Sequence, residues 1–154
     1  MSDGLRAQVM QAMKDAMKSG DKARLSTVRL MQSAIKDKDI ASRTDGRNEG
    51  IPDAEILELF SKMVKQRRES AELYEKGDRP DLVEKEQAEI AVLEEFMPKQ
   101  MDEAETKAAV EAVVAELGAT SVKDMGKVMG ALKARYAGQM DFGKAGAVVK
   151  AVLG

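Results

Sequence analysis

The sequence predicts an all-α protein, and three observations predict it. Apolar residues recur at three- and four-residue steps along nearly the whole chain, the period of a helix with one buried face. No run of alternating apolar and polar residues is long enough to read as a strand. Val110-Glu111-Ala112-Val113-Val114 comes nearest, but it sits inside a capped helical frame. Glycines, prolines and side chains suited to helix N-caps punctuate the pattern at helix-length intervals.

Leu5, Val9, Ala12, Met13, Ala16 and Met17 share one face of a first helix, which Gly20 ends. Asp21 caps a second helix with a stripe of Leu25, Val28, Met31 and Ile35. The short connection predicts that these two pack antiparallel. Residues 42 to 52, SRTDGRNEGIP, read as a mobile polar loop punctuated by Gly46, Gly50 and Pro52. Asp53 is expected to cap a long third helix carrying Ile56, Phe60, Met63, Arg67, Ser70 and Tyr74. Its apolar stripe thins after Val64, which predicts an end projecting beyond the core. Gly77-Asp78-Arg79-Pro80 forms a turn. A fourth helix then runs from about Asp81 to Phe96, with Leu82, Val83, Ile90, Leu93 and Phe96 inward.

Pro98 marks the expected boundary, because proline cannot continue a helical ladder and disfavours helix at the residue before it. Beyond it, Asp102 and Glu105 read as a capping box before Val110, Val113, Val114 and Leu117, closed by Gly118. Ser121 and Asp124 repeat that pattern before Met125, Val128, Met129, Leu132 and Tyr136, closed by Gly138. Asp141 caps a last helix with Ala145, Val148, Val149 and Val152. The expected architecture is a four-helix bundle-like domain over residues 1–97 and a small three-helix domain over residues 98–154.

Composition narrows the chemistry. The chain has 154 residues, 44% hydrophobic and 34% charged, enough to form a core and a solvated surface. It contains no Cys and no His. Disulfides, thiolate nucleophiles, zinc–sulfur sites and histidine-based triads are therefore excluded. Aromatics are only 3%, which argues against stacking platforms for single-stranded RNA. The polar start, Met1-Ser2-Asp3-Gly4, shows no signal-peptide core, and no apolar run is long enough to span a bilayer. The expected compartment is the cytoplasm, with no membrane partner.

Three features could carry chemistry. The fourth helix holds Asp81, Glu84, Glu86, Glu89, Glu94 and Glu95 against only Lys85. Glu86 and Glu89 share a face and could serve acid–base work or Mg²⁺. No second acidic motif completes a cage, so the plainer reading is a solvated face paired with a basic neighbour. Basic clusters form the second feature: Lys22, Arg24, Arg29, Lys36 and Lys38 on the second helix, and Lys62, Lys65, Arg67 and Arg68 on the third. Each could touch phosphates, and each could equally offset the acidic helix. Arg67 and Arg68 point about 100° apart and are not expected to face one partner.

The third feature is Asp-Met-Gly-Lys-Val-Met-Gly at residues 124 to 130. Gly126 and Gly130 lie on one face, where alanine would be the better helix former by up to ~1 kcal/mol per site. Close helix packing would justify them, and so would close approach of another backbone such as an RNA phosphate. Lys123, Lys127, Lys133, Arg135, Lys144 and Lys150 surround them, and residues 121 to 154 carry net +4 where residues 98 to 120 carry −3. The candidate RNA-binding residues are thus Lys123, Gly126, Lys127, Gly130, Lys133 and Lys144. Lys65, Arg67, Arg68, Glu86 and Glu89 form a second candidate interaction surface. No phosphate loop, nucleophile elbow or dinucleotide fingerprint is present, so no catalytic residue, metal or cofactor is expected.

These residues also carry a likeness. Leu25 to Lys36 (LSTVRLMQSAIK), Val64 to Tyr74 (VKQRRESAELY), Glu86 to Gln100 (EQAEIAVLEEFMPKQ) and Asp124 to Leu132 (DMGKVMGAL) resemble the YqeY-like proteins of the GatB/YqeY domain family. The resemblance covers nearly the whole chain. It implies an N-terminal helical bundle and a C-terminal domain similar to the tail of the B subunit of the tRNA-dependent amidotransferase. That enzyme amidates Glu-tRNA(Gln) or Asp-tRNA(Asn), and its tail contacts tRNA. Gly126-Lys127-Val128-Met129 matches the tail's glycine–methionine pattern. Asp141-Phe142-Gly143-Lys144-Ala145 looks like the stretch before its last helix, with Phe142 a departure.

The resemblance implies tRNA as a partner, together with aminoacyl-tRNA amidotransferase or synthetase components. It also implies an association with glutamine-dependent carbon–nitrogen ligation. The amidotransferase's ATP-using cradle has no counterpart in this chain. Three functions follow as expectations: a non-catalytic tRNA- or RNA-binding module, an accessory component of amide transfer onto aminoacyl-tRNA, and a protein-interaction adaptor. The adaptor would dock its partner on the acidic fourth helix and on Met10, Met13 and Met17.

Overall fold

The computed structural model describes residues 4–154. Met1 to Asp3, part of the polar start, lie outside the described residues. The described chain is all-α, with seven α-helices and no strand: α1 (Leu5–Ser19), α2 (Lys22–Ser42), α3 (Asp53–Lys76), α4 (Pro80–Glu94), α5 (Glu103–Leu117), α6 (Met125–Tyr136) and α7 (Phe142–Leu153). It folds as two compact units, one ending at Met97 and the other spanning Pro98–Gly154.

In the first unit, α1 and α2 form an antiparallel pair: Arg6 near the start of α1 meets Asp39 near the end of α2, and Met10 meets Gln32. Gly20 takes the left-handed conformation that ends α1 (φ 74°), and the Asp21 carboxylate accepts the Arg24 N–H to start α2. The core joins Val9 of α1, Val28 and Met31 of α2, Ile56 and Phe60 of α3, and Leu93 of α4. Met17 drops out of the expected stripe and is 55% exposed, because it lies in the last turn of α1.

No residue of α3 beyond Val64 is fully buried, and Leu73 is 68% exposed. α4 packs back along α3, and two cross-helix ion pairs join them. Asp78, not Gly77, takes the left-handed position in the connecting turn (φ 55°). Leu82, Val83 and Phe96 are only half-buried, because α4 covers α3 from one side and ends at Glu94.

The loop between α2 and α3 does not hang free, contrary to its polar composition. Ile51 is buried in the core. Asp39 accepts two hydrogen bonds from Arg6 (2.6 and 2.5 Å) and one from the Ile51 N–H (2.9 Å), while Arg6 also donates to the Ile51 carbonyl (2.9 Å). Gly50 runs beside this knot at φ 90°, where a Cβ would stand 2.7 Å from the Arg6 guanidinium. The Arg6 guanidinium holds the Asp39 carboxyl below the usual aspartate range. Asp53 does not cap α3, whose N-cap is Pro52; its carboxylate accepts the Leu5 N–H and serves the start of α1 instead.

In the second unit, Asp102 and Glu105 form the capping box of α5, and Gly118 closes it at φ 65°. The second expected capping box does not form. Residues Val122–Asp124 make a tight 3₁₀ turn, and the Asp124 carboxylate accepts the Thr120 N–H. Asp141 caps α7 as expected, accepting N–H groups of Gly143 and Lys144. Val110, Val113, Val128, Leu132, Ala145 and Val149 form the core. Leu117 and Val152, at helix ends, stay exposed. The Met101 N–H donates to the Gln139 carbonyl (2.7 Å), and the Gln100 amide to the Gly138 carbonyl, so the entry to this unit is pinned to the α6–α7 connection.

Candidate nucleic-acid interface

α6 turns Val128 and Leu132 into the core and leaves its opposite face to solvent. Counting about 100° per residue, Gly126, Gly130 and Lys133 fall within about 60° of one another, with Lys127 and Ala134 on the adjoining strip. All five are exposed. A Cβ added at Gly126 or at Gly130 would meet nothing within 4 Å. Packing within the described chain therefore does not account for these glycines. Gly146 of α7 is a useful contrast, since a Cβ there would stand 3.7 Å from the Met125 methyl and 4.0 Å from that of Met129.

The lysines around this face are unengaged. Among the described residues every ion pair uses an arginine, and none uses Lys123, Lys127, Lys133 or Lys144. Arg135, on the same helix, is committed: it makes two bonds to Glu116 of α5 (2.6 and 2.7 Å) and holds that carboxyl below its ordinary value. Lys123 stands in the 3₁₀ turn that leads into α6.

Lys144 is not brought to this face. It lies about 160° around α7 from Gly146, the position facing α6, while Lys150 lies only about 40° from it. Sequence spacing could not show this, because it does not say which edge of one helix meets another.

The second candidate surface resolves into structure. Arg67 of α3 donates to Glu89 of α4 at 2.8 Å, with the two side chains 15% and 16% exposed, and also donates to the Met63 carbonyl at 3.1 Å. Arg68 reaches Glu94 of the same helix at 3.2 Å. Both arginines thus face one partner, contrary to the expectation from their 100° offset. Long side chains at successive positions reach α4 at different heights. Arg24 of α2 pairs with Glu95 at 2.5 Å. Three of the six carboxylates of the acidic fourth helix, Glu89, Glu94 and Glu95, are therefore offset by neighbouring helices, and Asp81 pairs with Arg79 just before its own helix. Glu86 is half-buried without an ion-pair partner among the described residues, and Lys65 is exposed. Among the described residues no group of three or more acidic side chains converges to hold a metal ion. No helix there is long and apolar enough to cross a membrane.

Fold and surface define an all-α protein of two helical units that leaves lysines unpaired beside an open glycine face. The family model described as "Yqey-like protein" matches residues 6–153, and the chain belongs to that family. Among curated proteins, it is similar to "Altered inheritance of mitochondria protein 41, mitochondrial" of Lachancea thermotolerans: 33% identity over 113 residues, covering 72% of this chain and 58% of that one. The Eremothecium gossypii protein of the same name is 35% identical over 91 residues, 59% of this chain and 48% of that one. That of Kluyveromyces lactis is 35% identical over 94 residues, 61% and 48% respectively. The chain thus spans about half the length of these relatives.

Proposed function

We propose that this chain is a non-catalytic RNA-binding protein, with tRNA the first candidate ligand, acting through the exposed face of α6. The observation that carries this reading is the open space above Gly126 and Gly130. Each glycine costs its helix up to ~1 kcal/mol relative to alanine, and no contact at its Cβ position within the described residues offsets that cost. A smooth strip lets a backbone approach closely, and the unpaired Lys123, Lys127 and Lys133 flanking it suit phosphate oxygens. The likeness to the amidotransferase tail supports the same ligand. Of the surface the adaptor reading would use, Glu89 and Glu94 of α4 are already paired within the first unit, whereas Met10 and Met17 of α1 are exposed. The proposed compartment is the cytoplasm. The relatives are mitochondrial by name, and fractionation of cells expressing the full-length protein decides between the two.

The test is tRNA binding by the full chain across a salt series. Lys127→Gln with Lys133→Gln should lower affinity and flatten the log–log salt dependence by about 1.5, at about 0.7–0.9 per phosphate contact. Lys144→Gln should have the smaller effect. Absence of tRNA affinity at low salt, or affinity indifferent to Lys127 and Lys133, refutes the proposal.

A further inference from the structure

The longest acid-free stretch of charged helix lies elsewhere, on α2. Residues 22 to 36 contain four basic side chains and no carboxylate. Arg24 is spent on Glu95. The others, Lys22, Arg29 and Lys36, are exposed and form no ion pair among the described residues. Their seven-residue spacing keeps them on one face, and Ser26 and Ser33 fall between them on that face. At about 100° per residue the five lie within about 80° of arc, and at about 1.5 Å per residue they run for about 21 Å. Part of this ridge borders a shallow groove lined by Lys22, Leu25, Ser26, Arg29, Leu30 and Ser33.

We infer that this ridge of α2 is a second contact surface for an RNA phosphate backbone. Three cations without an ion pair among the described residues stand in a row with no carboxylate between them, and the exposed Asp37 borders only the far end of this track. The serine hydroxyls between them are short donors suited to phosphate oxygens. Between Lys22 and Lys36 the ridge positions carry no apolar anchor of the kind that dominates protein–protein hot spots; the exposed Leu30 sits at the margin and the exposed Ile40 one turn beyond Lys36. A phosphate track fits this composition better than a partner helix does. The inference shares the ligand class of the function proposed above but rests on different residues in a different unit.

The experiment uses the full chain, labelled poly(U) and bulk tRNA, with anisotropy read between about 50 and 200 mM salt. Three variants are compared: Lys22→Gln/Arg29→Gln/Lys36→Gln, Ser26→Ala/Ser33→Ala, and Lys127→Gln/Lys133→Gln. All substituted positions are exposed, and circular dichroism checks that helix content is kept. The triple variant should weaken binding at least tenfold at the low-salt end and flatten the salt slope by about two. The serine pair should weaken it severalfold. If the triple variant binds like the parent while Lys127→Gln/Lys133→Gln is weakened, the ridge inference is overturned and the α6 reading stands. The reverse pattern upholds the ridge and overturns α6. No RNA binding by the parent overturns both. Displacement of RNA by polyglutamate as effectively as by unlabelled poly(U) overturns the phosphate assignment in favour of an acidic protein partner.

Discussion

Replacing Gly126 and Gly130 by alanine should stabilise the second unit and weaken RNA binding at once. Gly130 sits in the interior of α6, where alanine gains about 0.8–1 kcal/mol. Gly126 is the second residue of the helix, where fewer backbone hydrogen bonds depend on its conformation, so about half that gain is expected there. Neither Cβ meets any atom within 4 Å, so no steric term opposes the gain. The sum is about 1.2–1.5 kcal/mol. For a chain of this length that raises Tm by about 3–6 °C if both units melt together, and by about twice that if the second unit melts alone. Thermal melts and chemical denaturation of the full chain read the stability, and tRNA anisotropy reads the binding. A double variant less stable than the parent would show that these glycines serve internal packing. A stabilised variant with unchanged tRNA affinity would remove close approach as their purpose.

Two further predictions concern the first unit. Asp39→Asn removes a charged acceptor of three hydrogen bonds and should cost about 2 kcal/mol near neutral pH, read by denaturant titration. Because the Asp39 pKa is lowered in the fold, its contribution is fully present above the unfolded value of about 3.9 and is lost as pH falls through the folded value. The stability gap between parent and variant should therefore be flat above about pH 5 and close in more acidic buffer. Glu89→Gln leaves the half-buried Arg67 guanidinium without its counter-charge and should cost about 2 kcal/mol. Replacing both partners by Met should recover much of that loss, and equal losses for the single and double variants would refute this account.

The all-α class and most helix ends were legible in the sequence, because helical period, capping side chains and left-handed glycines act within a few residues of one another. Asp21, Asp102, Asp141, Gly20 and Gly118 do what their local context dictates. Asp53 and Asp124 depart from expectation because another backbone N–H, on a neighbouring helix or in an adjacent turn, competes for the same carboxylate. Family membership was equally legible, since it rests on the order of residues.

Which charges are already engaged depends on tertiary contacts between residues distant in sequence. By sequence the basic residues of α2, α3 and α6 are equivalent. In the fold Arg24, Arg67, Arg68 and Arg135 each find a carboxylate, while Lys22, Arg29, Lys36, Lys123, Lys127 and Lys133 find none among the described residues. Lys144 separates from the α6 face for a similar reason: the rotation of one helix against another is set by core packing, here of Ala145 and Val149 in the same buried cluster as Val128 and Leu132. A one-dimensional pattern fixes how residues are arranged around their own helix. Which face meets a neighbour, and which is left for a partner, depends on contacts between residues far apart in the chain.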